Sequence, residues 1–431
     1  MGSMRLSKGN RQAVPDRERE VVIGIDVGKR EMSYRAFWLE DTSSLRTAKQ
    51  DAAGFRQLRE FVGALREEGY EPWLAYEPTG PYSTCLREWL VSEAWRVVQV
   101  NPYQVRQAKE LRDNNPTKSD WKDPGVIADL VWQGCYREVR PVGGVYAELR
   151  AASGEWASLT KKHTGLGNEF QGLLEVWFPE LAEQFRDRVA QSVRALVRRY
   201  SGVEAIAQAG PKRLTQLLHR VSHGRTTPRA QAIWEAARAS VAPPGGQGAR
   251  HRHLCCLLDS LQSVEARQAQ LRGEMEALLE ELPEARFLLS VPGVSTVSVA
   301  GLLGECGDLG AYACYESLEK QVGLNLYEIS SGKHRGQRHI SKRGRSLARH
   351  LLCQIALAQM RAGGLYYDFT EEQRAKGKKG REIQVAVARK LLRLLYALAR
   401  TRACFDRQRF VSGKGTGDGL PVQSGTLPRA A

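Results

Sequence analysis

Four carboxylates in the first third of the chain stand at positions that suit metal-ion chemistry. Asp26 ends an apolar run just before Gly28, and Glu77 ends a later short strand. Asp120 and Asp123 lie three residues apart at the start of a predicted helix and therefore share one face of it. Because open α/β sheets form their sites at the carboxyl ends of strands, we expect the four side chains to converge.

Converging carboxylates repel one another unless cations lie between them. Mg²⁺ prefers oxygen ligands, and two such ions about 3.5–4 Å apart stabilise both the attacking and the leaving oxygen at a phosphorus atom. Taken singly, the residues have plainer interpretations, since an Asp before Gly often forms a turn and Asp120 would cap a helix. Together, and in a basic protein, they predict phosphodiester chemistry that depends on Mg²⁺.

A second reactive group lies in the stretch SSGKHRGQRHISKRG, which begins at Ser330 and has no hydrophobic period. In one interpretation this loop only contacts phosphate. In the other, the hydroxyl of Ser331 or Ser330 attacks a phosphorus atom, which needs neighbouring cations because serine is a weak nucleophile and the transition state is anionic. The cations predicted to bind nucleic acid here are Lys333, His334, Arg335, Arg338, Lys342 and Arg343.

The charge of the chain indicates a polyanionic partner. The formal net charge is +16, which is typical of proteins that bind nucleic acid. Residues 321–410 contain 20 Lys and Arg against 6 Asp and Glu, an excess of 14 positive charges. Within this segment, QRAKGKKGRE (373–382) predicts a patch that follows a nucleic-acid backbone through Lys376, Lys378 and Lys379, with plain solvated surface as the alternative.

The order of predicted elements indicates an α/β domain followed by helices. Apolar residues at about 20–26 and alternating residues at 32–39 predict a β-hairpin, and further strands then alternate with helices. One of these helices is expected to begin near Ser119. The predicted organisation is a disordered N-terminus (1–17), an α/β domain (18–145), a helical and coiled-coil region (146–285), a mostly helical C-terminal domain (286–411) and a disordered tail (412–431). The residues before Met4 resemble a cloning remnant.

A regular apolar stripe marks one long helix in the middle of the chain. Its members follow one another at intervals of four and three residues: Leu257, Leu261, Val264, Gln268, Leu271, Met275, Leu278 and Leu282. Such a stripe is typical of a coiled coil that joins subunits, with Gln268 fixing the register. It is also typical of a helix that packs on its own chain.

The stretch FLLSVPGVSTVSVAGLLGECGDLGAY (287–312) has the pattern of a helix-hairpin-helix. In that motif the glycine turn between the helices offers backbone N–H groups to a phosphate. The alternative is an ordinary pair of antiparallel helices.

The sequence predicts a cytoplasmic protein. No stretch approaches the ~18 apolar residues of a membrane helix, and the N-terminus has no apolar secretory segment. The eight cysteines are scattered without a CxxC pair, which favours a reducing compartment.

Short motifs at both ends of the chain resemble one known family. The first third contains, in this order, GIDVGK, YEPTGPY, VVQVNP and KSDWKD. Downstream come LLSVPGVSTVSVAGLLGE, QVGLNLYEISSGKHRGQRHISKRG and GKKGREIQVAVARKLLRLLYALARTRACFD. The combination resembles the transposases of insertion-sequence family 110, relatives of the Piv-type DNA invertases. The resemblance covers about 18–145 and 285–411, and it does not extend to about 150–250.

The resemblance implies a RuvC-like, ribonuclease-H-like fold with an Asp-Glu-Asp-Asp set that holds Mg²⁺. Residue by residue, this set maps onto Asp26, Glu77, Asp120 and Asp123. The family often has Asp-Ala where this chain has Asp123-Pro124, a departure that affects the fourth position.

The C-terminal part of the resemblance implies a transposase domain with a nucleophilic serine before a glycine. This maps onto Ser331, with Ser330 as the alternative. The family also implies a bacterial, nucleoid-associated protein and a structured bridge RNA that pairs with donor and target double-stranded DNA.

These expectations combine into an RNA-guided DNA recombinase that forms a covalent phosphoserine bond, with Mg²⁺ activating the serine or the leaving oxygen. Recombining two duplexes takes four strand events, so we expect a homo-oligomer, a dimer of dimers. The alternative function is a RuvC-like endonuclease or Holliday-junction resolvase that uses water. A further alternative is a nucleic-acid scaffold without enzymatic activity.

Overall fold

The first unit of the chain, Met1–Pro141, is built around a mixed β-sheet. The structure is a computed structural model that describes residues 14–16, 18–38, 41–113, 122–139, 143–328 and 338–412. The strands of this unit are β1 (Glu20–Val27), β2 (Glu31–Phe37), β3 (Arg46–Lys49), β4 (Glu71–Tyr76), β5 (Arg96–Gln99) and β6 (Arg137–Glu138). Its helices are α1 (Ala52–Glu67), α2 (Tyr82–Ser92), α3 (Pro102–Asp113) and α4 (Asp123–Trp132).

In the described residues the sheet has the strand order β3-β2-β1-β4-β5-β6. β1 pairs antiparallel with β2 and parallel with β4, and β4 pairs parallel with β5. β1 therefore lies inside the sheet with a neighbour on both sides. Residues 21–25 are all buried, which is why this strand is a continuous apolar run rather than an alternating one.

Helices cover both faces of this sheet. On one face, Ile23 and Ile25 of β1 share a core with α1 and α2. On the other face, Val22 of β1 shares a core with residues of α3 and α4. The expected α/β domain is thus present, with its site-bearing strands between two helical layers.

The approach of α4 to β1 is closer than a side chain would permit. A Cβ atom placed on Gly24 would lie only 2.8 Å from the carbonyl carbon of Pro124, in the first turn of α4. Proline suits this turn because its missing N–H has no partner there in any helix. Gly24 and Pro124 together fix the height of α4 above the sheet.

The second unit, Val142–Ala431, is mostly helical. Its helices are α5 (Val145–Trp177), α6 (Leu181–Gln184), α7 (Gln191–Arg199), α8 (Val203–Ser222), α9 (Ala230–Arg238), α10 (Gln247–Glu280), α11 (Ala285–Leu289), α12 (Thr296–Cys306), α13 (Tyr315–Val322), α14 (Ser346–Gln359), α15 (Tyr367–Ala375), α16 (Gly380–Thr401) and α17 (Arg407–Ser412). Short 3₁₀ turns lie at Thr227–Arg229 and Leu309–Ala311, and the strands are β7 (Leu326–Glu328) and β8 (Arg338–Ile340). Within the described ranges, no helix is long and apolar enough to cross a membrane.

Two long helices, α5 and α10, form an antiparallel pair that we call the stalk. The first half of α5 and the second half of α10 pack into a core with α11 to α16, as Leu149 and Met275 show. The second half of α5 and the first half of α10 pack into a separate core with α6 to α9, to which Phe170 and Leu258 belong. At ~1.5 Å per residue each stalk helix is roughly 50 Å long, so the two cores lie at opposite ends of the stalk.

The apolar stripe of α10 packs on α5 of the same chain. Leu261, Leu271 and Met275 are buried in the two cores, and Gln268 Nε2 donates a hydrogen bond to Thr160 Oγ1 of α5 at 3.2 Å. This arrangement corresponds to the interpretation in which the helix packs on its own chain. Joining of subunits through the stripe stays a prediction.

An ion cluster ties three helices together along the stalk. Arg194 of α7 donates to both carboxylate oxygens of Glu265 in α10, at 2.6 and 2.8 Å. His163 Nε2 of α5 lies 3.1 Å from Glu265 Oε1. These contacts, the one with Arg194 first, lower the pKa of the Glu265 carboxyl from 4.5 to about 2. The carboxylate therefore stays charged well below the pH at which an ordinary glutamate is protonated.

Several element boundaries differ from the sequence prediction. The helix expected near Ser119 begins at Asp123, and residues 114–121 lie outside the described ranges. The strand expected at 32–39 runs from Glu31 to Phe37. The helix-hairpin-helix pattern becomes the short α11, a turn with Gly293 at φ 77°, and α12, most of which is buried. Most of the two termini predicted to be disordered lies outside the described residues.

Replacing Gly24 by alanine should destabilise the first unit. The added methyl group would meet the Pro124 carbonyl carbon at 2.8 Å, and overpacking of this kind typically costs about 1–3 kcal/mol. The matched control is Gly63→Ala in α1, where a Cβ meets nothing within 4 Å and the gain in helix propensity is roughly 0.5–1 kcal/mol. Denaturant unfolding measures both, and equal stability of the two variants would contradict the packing described.

Replacing Glu265 by glutamine should lower the thermal midpoint and weaken its dependence on acid. Because the folded-state pKa of about 2 lies below the ordinary 4.5, the carboxylate stabilises the fold above about pH 4.5 and loses this effect as the pH falls towards 2. The difference in midpoint between wild type and variant should therefore shrink over that window. Glu276→Gln, an exposed position of α10 without an ion pair in the described chain, serves as the control. A pH-independent difference for Glu265→Gln would count against the cluster.

Candidate active site

Asp26 and Glu77 end neighbouring parallel strands at the same level of the sheet. The register of β1 and β4 pairs Ile25 with Tyr76, so Asp26 and Glu77 follow side by side. Both are half-buried. Because side chains alternate along a strand, both point to the face on which α4 lies, as Val22 of β1 does. The structure thus brings two of the four predicted carboxylates to one edge of the sheet.

The segments that follow these two strands are held against each other. Thr79 Oγ1, two residues after Glu77, donates a hydrogen bond to the carbonyl oxygen of Val27 at 3.0 Å. Gly28 N donates to the Glu31 carbonyl oxygen at 2.9 Å and closes the turn from β1 to β2. These contacts give the motifs DVGK and EPTG a structural role, which is to fix the ends of the strands that carry the acids.

Asp123, the third described carboxylate of the set, is almost completely buried at the start of α4. Its side chain is 2% exposed, and neither Oδ atom has a hydrogen-bond donor among the described residues. Lys109 Nζ of α3 lies 2.7 Å from Asp123 Oδ2, which makes an ion pair that is not aligned as a hydrogen bond. A negative side chain in the first turn also suits the helix dipole.

Lys109 is the residue of this site that sequence reasoning missed. It lies in α3, fourteen positions before Asp123, in a segment whose pattern indicates only a helix. Its side chain is about a quarter exposed, so its ammonium group is partly withdrawn from water. The only signal in the sequence was a lysine on a helix that follows a parallel strand. This signal does not indicate that the lysine pairs with Asp123.

The chemistry of these residues fits a divalent cation such as Mg²⁺. Lys109 compensates the charge of Asp123, but neither carboxylate oxygen of Asp123 accepts a hydrogen bond from a described residue, and carboxylate oxygens are the ligands that Mg²⁺ prefers. Asp120, the remaining member of the predicted set, lies outside the described residues. Within the described part of the chain, no three Asp, Glu, His or Cys side chains are grouped closely enough to hold a metal ion by themselves.

The predicted serine loop lies between two short paired strands of the second unit. β7 and β8 are antiparallel, and their last described pair is Glu328 with Arg338. Arg338 Nε lies 3.1 Å from Glu328 Oε2. The residues between them, 329–337, lie outside the described ranges, and they include Ser330, Ser331, Lys333, His334 and Arg335.

The base of this hairpin is fixed by close backbone packing. A Cβ on Gly344 would lie 2.6 Å from the backbone nitrogen of Gly323, and Lys342 adopts a left-handed φ of 53°. Ser341 Oγ donates to Asn325 Oδ1 at 2.5 Å, which joins the two sides of the base. The exposed side chains of Lys342 and Arg343 therefore extend from a rigid support.

The second predicted basic patch is exposed as a nucleic-acid interface requires. Lys376 pairs with Glu372, and Lys378 Nζ donates to Gln373 Oε1 at 2.6 Å. The ion pair with Lys376 lowers the pKa of the Glu372 carboxyl. Lys379 stands directly before the first residue of α16. A role of these lysines in binding nucleic acid stays a prediction.

Comparison with known proteins gives two family matches. Residues 23–179 match a family of transposases named for a DEDD motif and for IS110, and residues 285–371 match the transposase family IS116/IS110/IS902. Together the two segments span more than half of the chain. The first contains Asp26, Glu77 and Asp123, and the second contains the serine hairpin.

Two individual relatives are named for insertion elements of the same family, and a third is named for inverting a gene. An IS110 protein of Streptomyces coelicolor is 28% identical over 67% of this chain and 72% of its own length. An IS116 protein of Streptomyces clavuligerus is 26% identical over 81% of this chain and 87% of its own. The pilin gene-inverting protein of Moraxella bovis is 25% identical over 32% of this chain and 45% of its own. The chain therefore belongs to the IS110 family of transposases.

Proposed function

We propose that this transposase cuts and rejoins strands of double-stranded DNA through a covalent phosphoserine intermediate, with Mg²⁺ held by a set of carboxylates. The observation that carries the proposal is that Asp26 and Glu77 lie at the same level of two parallel strands. Both face the side of the sheet covered by α4, whose first residue is the buried Asp123. Two half-buried acids and a buried one on the same face of a sheet are unfavourable for stability alone. They are expected where a site must hold cations.

The nucleophile in this proposal is Ser331, with Ser330 as the alternative. Attack on a DNA phosphorus atom forms a serine–phosphate bond and releases a DNA hydroxyl, so the phosphodiester energy is kept for rejoining. The described flanks of the loop supply Arg338, Lys342 and Arg343, which are exposed cations able to neutralise the transition state.

The carboxylates that would hold the metal are Asp26, Glu77, Asp120 and Asp123. When bound, Mg²⁺ supplies charge stabilisation at a phosphoryl oxygen and at the attacking or leaving oxygen. The protein's own contribution is to fix Asp26 and Glu77 through the contacts of Thr79 and Gly28, and to keep water from Asp123 by burial.

The strand order supports a RuvC-like assignment of the first unit. Three antiparallel strands are followed by two parallel strands that are each reached through a helix. This is the arrangement that a ribonuclease-H-like sheet requires. The proposal places the metal at the carboxyl ends of β1 and β4, where open sheets of this kind form their sites.

Donor and target DNA are the proposed substrates. The positive net charge fits a partner of this kind, and the name of the relative from Moraxella bovis denotes inversion of a gene. Four strand events are needed to recombine two duplexes, so we propose a dimer of dimers as the active assembly.

A structured guide RNA, the bridge RNA of the resemblance, is the proposed source of sequence selection. The exposed lysines at 376–379 would follow its backbone, a contact that needs charge and no base recognition. Sequencing of RNA that co-purifies with the chain should reveal one structured species, and recombination should depend on adding that RNA. Recombination by the RNA-free protein would contradict this part of the proposal.

The covalent step is tested with three variants in one assay. Ser331→Ala should bind DNA normally but leave no protein–DNA adduct on a denaturing gel, because the hydroxyl that forms the bond is gone. Asp26→Asn should reduce strand cleavage by at least about a hundredfold with binding preserved, as is typical when one charge-stabilising group is removed from an active site. Ser330→Ala is the matched control and should retain the adduct.

The outcomes separate the proposal from its alternatives. If the adduct disappears with Ser330→Ala instead, Ser330 is the nucleophile. If the double variant Ser330→Ala/Ser331→Ala still cuts DNA, the chain is an endonuclease or junction resolvase that uses water. Unchanged activity of Asp26→Asn would favour a scaffold without metal chemistry.

A further inference from the structure

We propose that the helical tip of the stalk is a separate binding surface for duplex DNA, formed by the second half of α8 and the turn after it. The tip comprises residues 178–246 and lies at the end of the stalk opposite the core formed by α11 to α16. This surface goes beyond the strand-transfer chemistry proposed above and does not depend on it.

The tip contains a long stretch without any negative charge. Between Glu204 and Glu235 there is no Asp or Glu, whereas the same stretch contains five Lys and Arg and two His. All seven side chains are exposed. They are Lys212, Arg213, His219, Arg220, His223, Arg225 and Arg229. A solvated surface of an ordinary protein mixes both signs of charge, so this stretch indicates a partner with negative charge.

Three cations of this surface differ from the paired arginines Arg194 and Arg198 of the tip in their contacts. Arg194 pairs with Glu265, and Arg198 pairs with Asp259 at 2.7 Å. In contrast, Lys212, Arg213 and Arg220 have neither an ion pair nor a hydrogen bond among the described residues. Their positive charge is therefore available to a ligand.

The fold of α8 presents these side chains in one direction. Gly210, at φ 74° and ψ 162°, interrupts the helix, and Pro211 starts a new helical segment. Leu214 and Leu218 of that segment are buried in the tip core. The exposed positions of that segment all carry polar side chains that could bond to a ligand, namely Lys212, Arg213, Thr215, Gln216, His219 and Arg220.

The turn after α8 is rigid, which extends the surface. His223 ends the helix in a left-handed conformation, and Ser222 Oγ accepts a hydrogen bond from Thr226 N at 2.9 Å. Arg225 Nε donates to the Ser222 carbonyl oxygen at 3.2 Å, and the Arg229 guanidinium lies 5.0 Å from the ring centroid of Phe185. Both guanidinium groups are held in place before any ligand binds, which reduces the entropy lost on binding.

The geometry favours B-form DNA over other polyanions. The positions from Lys212 to Arg220 extend about 12 Å along the helix, a length over which duplex DNA carries about seven charges. The major groove of B-DNA is wide enough for an α-helix, whereas that of duplex RNA is too narrow for side chains to read. An exposed helix with polar side chains and with cations at both ends therefore suits the major groove of B-DNA.

The test compares two variants that remove the same charge. Arg213→Gln/Arg220→Gln removes two unpaired cations, and Arg188→Gln/Arg198→Gln removes two that already pair with Glu175 and Asp259. Binding of the full chain to non-specific duplex DNA is measured at a series of NaCl concentrations without Mg²⁺, so that catalysis plays no part. Loss of two phosphate contacts should flatten the slope of log Kobs against log [NaCl] by roughly 1.8 in the first variant only.

Two results would overturn the proposal. One is an equal change of slope in both variants, which would mean that net charge alone acts. The other is an equal or larger effect of the first variant on duplex RNA, which would exclude B-form DNA as the intended partner. Because these substitutions lie on the surface, circular dichroism should give similar thermal midpoints for both variants, which shows that a change of slope does not come from unfolding.

Discussion

The burial of the Asp123 carboxylate is the constraint on which the architecture of the first unit depends. A charge that is 2% exposed needs compensation, and Lys109 provides it from the neighbouring helix. This pair can form only if α3 and α4 lie side by side on one face of the sheet. The contact of Pro124 with Gly24 then sets the height of α4 above β1. The same constraint therefore positions the helix start relative to the strand that ends at Asp26.

In the second unit, one pair of helices supports two separate hydrophobic cores. α5 and α10 contribute apolar residues to a core at each end, so neither core can shift without moving the stalk. Between the cores the two helices are joined mainly by polar contacts, such as Gln268 with Thr160 and Arg267 with Glu155. Contacts of this kind favour one register of the two helices, because a shift along the stalk would separate the paired groups.

Features that arise from local patterns could be predicted from the sequence, whereas contacts between distant segments could not. The apolar runs of β1 and β4 indicated strands, and the rule that sites form at strand ends correctly placed Asp26 beside Glu77. Motifs at both ends of the chain likewise predicted the transposase family correctly. Lys109 escaped prediction because nothing in α3 indicates that its ammonium group faces Asp123. The sequence could not identify the partner of the α10 stripe. An apolar stripe indicates that another element covers it, but it does not indicate whether that element belongs to the same chain or to another subunit.

The distribution of charge explains why a chain with an acidic site has so large a positive excess. Carboxylates at a catalytic centre repel the phosphates of a nucleic acid, and each nearby phosphate adds to that repulsion. The chain can bind DNA only if cations elsewhere outweigh this effect, and it can react only if metal ions or cations neutralise the centre itself. Under the proposal for the tip, unpaired cations such as Arg213 and Arg220 meet the first need at a distance from the serine hairpin within the same unit. In the proposed mechanism, the exposed Lys342 and Arg343 at the base of that hairpin neutralise the charge at the phosphorus atom that the serine attacks, so binding and chemistry draw on different parts of the positive excess.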